Sequence, residues 1–361
     1  MGARSSQSRG PGLNKSDGHL LEYFRQNFGA GGGGTEFVPP PPSGMTASGG
    51  VVSDYTVGSD VYRSHVFTSS GTFGVTDLGD LVEDGLADYL VVAGGGSGAP
   101  ETSGPLYSGS GGGGAGGLRT SLPGIMPATS SQVPFSVGNH AIIIGAGGGS
   151  PNAATGDGNP GTNSSLAYNG GSIVSNGGGG GGETVQSGLP GGSGGGAGGN
   201  NHQANRTGGA ANPNSDPTRQ GYPGTTFATN DNSGSGGGGG GAGGAGQYLA
   251  PPTRSGLIGG AGVQVAIAGP TATTFTGVGD KNPSNNQYQY FAGGGAGGSY
   301  SDTAPSPTLG GGGKGGRENS TKGENAIFST GGGGGGSGGK NPGYGGNGAS
   351  IFFPVNGKKY P

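Results

Sequence analysis

Val61-Tyr62-Arg63-Ser64-His65-Val66-Phe67 alternates apolar and polar positions, the pattern of a half-buried β-strand. Thr68-Ser69-Ser70-Gly71 reads as a turn, and Thr72-Phe73-Gly74-Val75 as the strand that returns. Ala87 to Ala93 predicts a third strand that runs straight into Gly94-Gly95-Gly96. Beyond it one theme recurs without a fixed period: a short apolar strand feeds or follows a block of glycines. Pro134-Phe135-Ser136-Val137 and Ala141-Ile142-Ile143-Ile144 precede Gly145 to Gly149, and Ser172-Ile173-Val174 precedes Gly177 to Gly182. Gly236 to Gly241 lies in the longest block, and Val263 to Ile267 follows another. Tyr288-Gln289-Tyr290-Phe291-Ala292 leads into Gly293, and Ala326-Ile327-Phe328 leads into Gly331 to Gly336. The last such run is Gly348-Ala349-Ser350-Ile351-Phe352-Phe353.

One segment has helical spacing instead. Leu20, Leu21 and Phe24 share a face of a short helix over about 18–27, capped by Ser16 or Asp17 and stopped by Gly29. So short a helix does not persist alone in water. It therefore docks, either on the chain's own core or in a partner assembly. The spacer that follows, flexible Gly31 to Gly34 and then the stiff rod Pro39 to Pro42, favours an anchor built from Leu20, Leu21, Phe24 and Phe28. The expected organisation is an arm with its helix over 1–37 and a Pro-rich linker over 38–48. A strand-rich domain over 49–93 and a glycine-rich domain over 94–361 follow.

Composition changes what the apolar runs can support. Of 361 residues 100 are Gly and 25 are Pro; apolar residues make up 28% and charged ones 10%. Too few apolar side chains exist for a large hydrophobic core. The absence of Cys removes disulfide scaffolds and thiol chemistry. Glycine in blocks, not at every third place, excludes collagen. A net charge of −3 carries no basic excess for nucleic acid, and no apolar stretch reaches the length of a membrane span. Met1-Gly2-Ala3-Arg4-Ser5-Ser6 fits a myristoylation pattern, but no polybasic second anchor follows, and the stretch reads as a polar arm.

Ordering glycine costs about 1–2 kcal/mol of backbone entropy per residue. With few side chains to bury, the remaining resource is one backbone donor and one acceptor per residue. Polyproline-II-type helices have three residues per turn and no internal hydrogen bonds. Packed side by side without Cβ atoms, they bond laterally, each bond netting about 0.5–1.5 kcal/mol. The expected fold class is mainly β with polyglycine-II helices. Small β-sandwich-like strands and a glycine-rich bundle would be joined to the short N-terminal helix, and polar loops would gather at the bundle's two ends. Loops on a rigid scaffold commonly bind, and Tyr222, Tyr248, Tyr288, Tyr290 and Tyr300, with Asn and Gln nearby, suit contact with a glycan or another surface.

Sites of other chemistry are not expected. Matches to Gly-x-Gly-x-x-Gly arise by chance here, and no helix follows any of them. Gly334 to Lys340 spells a P-loop-like run, but Asn341 stands where Ser or Thr is needed. His19, His65, His140 and His202 lack metal spacing, and Asp80, Glu83 and Asp84 read as a solvated loop. No enzyme activity, metal or cofactor is expected.

The run Phe67 to Phe73, then Asp88 to Gly96, then Ile142 to Gly148, resembles the glycine-rich domain of phage virion proteins, including tail-fibre proteins. Gly161-Thr162-Asn163-Ser164-Ser165-Leu166 is similar to that family's small polar segment, whereas Pro354 and the tail to Pro361 depart from its usual end. The glycine blocks also resemble polyglycine-II adhesins at phage fibre tips. The resemblance implies a virion structural protein, assembled in the host cytoplasm. It would attach through its N-terminus to other virion proteins and display its body to a host-surface glycan or protein. Capsid decoration without a receptor, and a non-viral extracellular filament or ice-binding protein, are the alternatives. Trimerisation and closure within one chain both stay open.

Overall fold

The computed structural model describes residues 44–58, 60–80, 85–101, 108–125, 131–151, 156–200, 205–211, 219–227, 234–248, 256–269, 271, 278–300, 305–317, 322–338 and 349–354. The chain divides into compact units Met1–Pro42 and Ser43–Pro361, and all described residues belong to the second. The expected anchor helix, with Leu20, Leu21, Phe24 and Phe28, lies outside the described residues.

The described fold is mainly β, in small antiparallel sheets, and contains no helix among the described residues. The first strands are β1 (Thr46–Ser48), β2 (Val51–Val57), β3 (Asp60–Phe67), β4 (Gly71–Asp77) and β5 (Leu86–Val92). Then come β6 (Ser108–Gly109), β7 (Leu118–Thr120), β8 (Val133–Pro134), β9 (Gly138–Ile143), β10 (Ser164–Tyr168) and β11 (Gly171–Ser175). The later ones are β12 (Gly199–Asn200), β13 (Val263–Gln264), β14 (Asp280–Asn282), β15 (Gln287–Phe291) and β16 (Ala349–Pro354).

A five-stranded sheet has the order β1-β4-β9-β10-β11, and a six-stranded sheet the order β2-β3-β16-β5-β7, with β8 also paired to β5. A three-stranded sheet, β13-β15-β14, and the pair β12-β6 complete the set. The two large sheets face each other across a core of Phe67, Tyr89 and Val91 from one side and Phe73, Val75, Ile142, Leu166 and Ile173 from the other. Leu90, Val92 and Val66 point the opposite way, into a second core with Leu118, Val265, Ile267, Val278 and Phe291. Successive residues of a strand face opposite sides. β5 is therefore apolar on both faces, and its sheet is the middle layer.

Two expectations change. Thr72 to Val75 does form a strand, but it does not return along β3. It pairs with β1 and β9 in the facing sheet. Phe67 and Phe73 are both buried, and crossing between sheets lets both enter the core they share. Ala326-Ile327-Phe328 is not a strand. Ile327 donates its N–H to the Gly311 carbonyl, the Thr330 hydroxyl closes on the Ile327 carbonyl, and Phe328 sits exposed in the turn.

Candidate functional site: the glycine body and its two ends

Outside the sheets the glycine segments run extended, and their hydrogen bonds follow a rule unlike a β-ladder. In residues 110–117 the N–H groups of Gly111, Gly114 and Gly117 donate to the carbonyls of Gly182, Gly179 and Asn176. Those of Gly112 and Ala115 donate to Gly237 and Gly240, and those of Ser110, Gly113 and Gly116 to Ser337, Gly334 and Gly331. Residues three apart address the same neighbour. The carbonyls obey the same period: Gly111, Gly114 and Gly117 accept from Ala99, Gly96 and Ala93, Gly112 and Ala115 from Gly196 and Ser193, and Ser110 and Gly113 from Gly298 and Gly295. All fifteen bonds span 2.8–3.0 Å. One segment thus touches six others, donating to three and accepting from three.

The pattern spreads outward. Ser193 and Gly196 donate to residues 110–117, Gly194 and Ala197 to Tyr222 and Thr225, and Gly195 and Gly198 to Leu189 and Gln186. In 293–299, Gly293, Ala296 and Ser299 donate to Gly310, Gly313 and Gly316. Such spacing excludes side chains. A Cβ on Gly113 would overlap the Gly96 carbonyl, and one on Gly178 would overlap that of Gly114. The non-glycine residues inside the body are small. Ala115 and Ala292 turn their methyls into the second core, and the Ser110 hydroxyl lies 2.5 Å from the Ala99 carbonyl, to which it donates, while its oxygen accepts the Ser337 N–H at 2.7 Å.

The registers also give direction. Taking 110–117 as ascending, 93–99, 177–182, 193–198, 293–298 and 331–337 descend, and 236–241 ascends. Residues 93, 117, 177, 241 and 292 therefore mark one end, where β5, β7, β11 and β15 join. Residues 99, 110, 182, 198, 298 and 337 mark the other, the loop end. The five tyrosines divide between these ends. Tyr222 bonds through its backbone to Gly241 and Gly194 at the sheet end, with the Arg219 guanidinium 4.6 Å from its ring centroid. Tyr288 and Tyr290 lie two apart on β15, also at the sheet end, and the Lys281 ammonium is 5.3 Å from the Tyr288 ring. Tyr248 and Tyr300 lie at the loop end. Tyr248 is 45% exposed and packs edge-on against Phe227, its ring centroid 6.2 Å away.

Several polar arrangements escaped the sequence. Arg206 is buried at the loop end, with its guanidinium 4.9 Å over the Phe227 ring and a bond from Nη1 to the Gly198 carbonyl. Asp157 and Glu183 exchange backbone contacts: Glu183 N–H donates to Asp157 at 2.9 Å, and Gly156 N–H to the Glu183 carboxylate at 3.1 Å. Burial, helped by the Glu183 charge and opposed by that backbone bond, raises the Asp157 carboxyl above its ordinary value. The Asp280 carboxylate accepts the N–H groups of Gly310 and Gly311, both at 3.0 Å. At the sandwich core His65, Phe73, Phe135 and His140 form a row of edge-to-face rings with centroids 4.8–5.1 Å apart. Burial holds the His65 pKa below its ordinary value. No signal in the sequence pairs residues this far apart. Among the described residues no group of three metal-ligating side chains occurs.

Compared with known proteins, residues 68–352 match the family profile described as a glycine-rich domain. No curated protein matches the chain.

Proposed function

The chain belongs to the glycine-rich domain family, and from that premise we propose that it is a structural protein of a bacteriophage particle, a fibre or adhesin that displays a rigid body to a host surface. In this reading the glycine segments are polyglycine-II helices, bundled around residues 110–117. The observation that carries it is the three-residue period of hydrogen bonds to six neighbours. That period is the one a polyproline-II-type backbone imposes. A body held by its own backbone is stiff and offers little chemistry, which suits display. The chain path supports a polarity as well. Met45 enters the fold in the sandwich core, and the glycine segments carry the loop end away from it. The anchor over 1–37 and the recognition role of the tyrosines belong to the same proposal. Tyr248, exposed at the loop end, is the residue best placed to meet a surface.

The test is where the protein sits and what blocks it. Particles labelled with antibody against the loop end should carry the label on a projecting fibre, and the antibody should block adsorption. Label on a capsid shell with adsorption intact would replace the receptor role with decoration. Absence from particles would overturn the reading.

A further inference from the structure

We propose that copies of this chain exchange β16, each laying its residues 349–354 between β3 and β5 of a neighbour. The proposal rests on the polyglycine reading only for the length of the body.

The other strands of this sheet, β2, β3, β5, β7 and β8, all lie within residues 51–134, whereas β16 begins at Ala349. It enters between β3 and β5, antiparallel to both. Ala349 to Pro354 stand opposite Val92 to Ala87, and Ser350, Ile351 and Phe352 stand opposite Phe67, Val66 and His65. β3 and β5 therefore run parallel to each other, with β16 alone between them. The gap is costly to leave empty. Tyr89, Leu90, Val91 and Val92 are 0% exposed and lie between the two cores. Without β16 that edge of β5 would hold buried N–H and C=O groups with no bond.

The gap takes an antiparallel strand in a fixed register, and 349–354 is the segment that meets it. A second copy carries the same segment, so pairing within one chain and pairing between two make the same bonds. What differs is the connection. Ser337 lies at the loop end beside Ser110, and Ala349 lies beside Val92, which stands opposite Leu118. The rise from 110 to 118 is about 25 Å in a polyproline-II-type backbone. Within one chain residues 338–348 must therefore return along the body. From Ser337 to Ala349 the chain reaches at most about 40 Å. After the return, about 30 Å of sideways reach is left, which extends to the gap of a copy packed alongside in parallel. Copies held side by side by a common attachment raise the local concentration of the second donor, and that favours exchange.

The chain has no cysteine, so introduced ones report pairing without background. Asp88 and Phe353 stand opposite each other. Full-length Asp88→Cys and full-length Phe353→Cys, refolded together and mildly oxidised, should give a one-to-one disulfide-linked heterodimer whose yield rises with protein concentration. Either alone should stay unlinked. The double variant Asp88→Cys/Phe353→Cys should link under the same conditions, which shows that the two positions meet. Deleting Gly343 to Gly348 from the double variant leaves a reach of about 20 Å, too short to return along the body. That chain should fold and link between copies, its interchain fraction in dilute solution rising about tenfold. No heterodimer at any concentration, or a shortened chain that does not fold, would each overturn the proposal. So would a double variant that never links, because β16 would then not occupy the gap. A shortened chain that still links within itself would make the body shorter than a polyglycine bundle. That removes the reading beneath, and the heterodimer alone then decides the exchange.

Discussion

The sandwich and the glycine body solve one problem by opposite means. In the sandwich, Phe73, Tyr89, Leu90 and Ile142 are 1% exposed or less, and the strands hold register because each side chain has one face to fill. In the body, Gly111 to Gly114 fill nothing, and register comes from which carbonyl each N–H reaches. A side-chain core tolerates change where volume is kept, since neighbours repack. A backbone core has no rotamers through which to yield. The two regions share chain at every junction: β5 becomes 93–99, β7 follows 110–117, and β15 becomes 293–298. Failure in either should therefore propagate to the other.

The sharpest way to break the comparison is one methyl group. Gly113→Ala drives a Cβ into the Gly96 backbone. Elsewhere this exchange stabilises by about 0.4–1 kcal/mol through the unfolded chain. Here the expected loss is about 3 kcal/mol or more, since the overlap is with backbone and overpacking already costs about 1–3 where side chains give way. The reverse change two residues on, Ala115→Gly, should cost about 1–2 kcal/mol, from a buried methyl and extra chain entropy. Urea unfolding of both variants measures this. A Gly113→Ala protein as stable as the parent would mean that the segments do not pack this closely.

The second break is in the sandwich. Phe73→Ala empties a site that is 1% exposed between His65 and Phe135, and about 3–5 kcal/mol should be lost. Phe73→Leu should recover most of it, because a repacking side-chain core accepts a near-volume exchange. No such rescue exists for Gly113. A Leu variant as damaged as the Ala variant would erase the distinction between the regions.

How much of this was legible follows from the same contrast. Side chains write themselves into sequence, so Val61 to Phe67, Ala87 to Ala93 and Tyr288 to Ala292 were readable as strands, each within a residue or two of β3, β5 and β15. Where apolar residues fit two partners the reading erred: Thr72 to Val75 crosses to the other sheet, and Ala326 to Phe328 ends in a turn. Glycine writes almost nothing. The block Gly177 to Gly182 could be read as extended, but nothing in six identical residues says that Gly179 meets Gly114 while Gly178 meets Gly94. Even interior and rim are only partly legible: the uninterrupted runs 177–182 and 236–241 are interior, but Gly145-Ala146-Gly147-Gly148-Gly149, equally free of large residues, has Ala146 and Gly149 exposed. Where along the body each tyrosine would lie was not legible, because that depends on counting every ascent and descent between them.

The smallest expected effect tests the sandwich by pH. His65 is 1% exposed, and its Nδ1 lies 2.8 Å from the Gly49 carbonyl, which fits the neutral ring with Nδ1 as donor. Burial lowers its pKa most and the Arg63 charge adds to this, against the Gly49 bond and the Asp54 charge. The folded pKa is thus below the unfolded value of about 6.5. Between the two the unfolded chain binds more protons, so stability rises with pH. His65 contributes fully above about pH 6.5, and its contribution falls as acid is added, until the folded pKa is passed. From pH 7.5 to 5.5 the parent should lose stability relative to His65→Asn, by no more than about 1.4 kcal/mol, because the variant keeps a donor for Gly49 but does not titrate. Asp157, whose raised pKa acts in the opposite direction at lower pH, cancels in this comparison because both proteins retain it. Asp54, held low by its hydrogen bond to Arg63, loses its contribution only in stronger acid. No residue of 110–117 titrates, so that segment adds no slope of its own. Parallel pH profiles for the two proteins would mean that His65 reaches water in the folded state, and that the sandwich is looser than the body it adjoins.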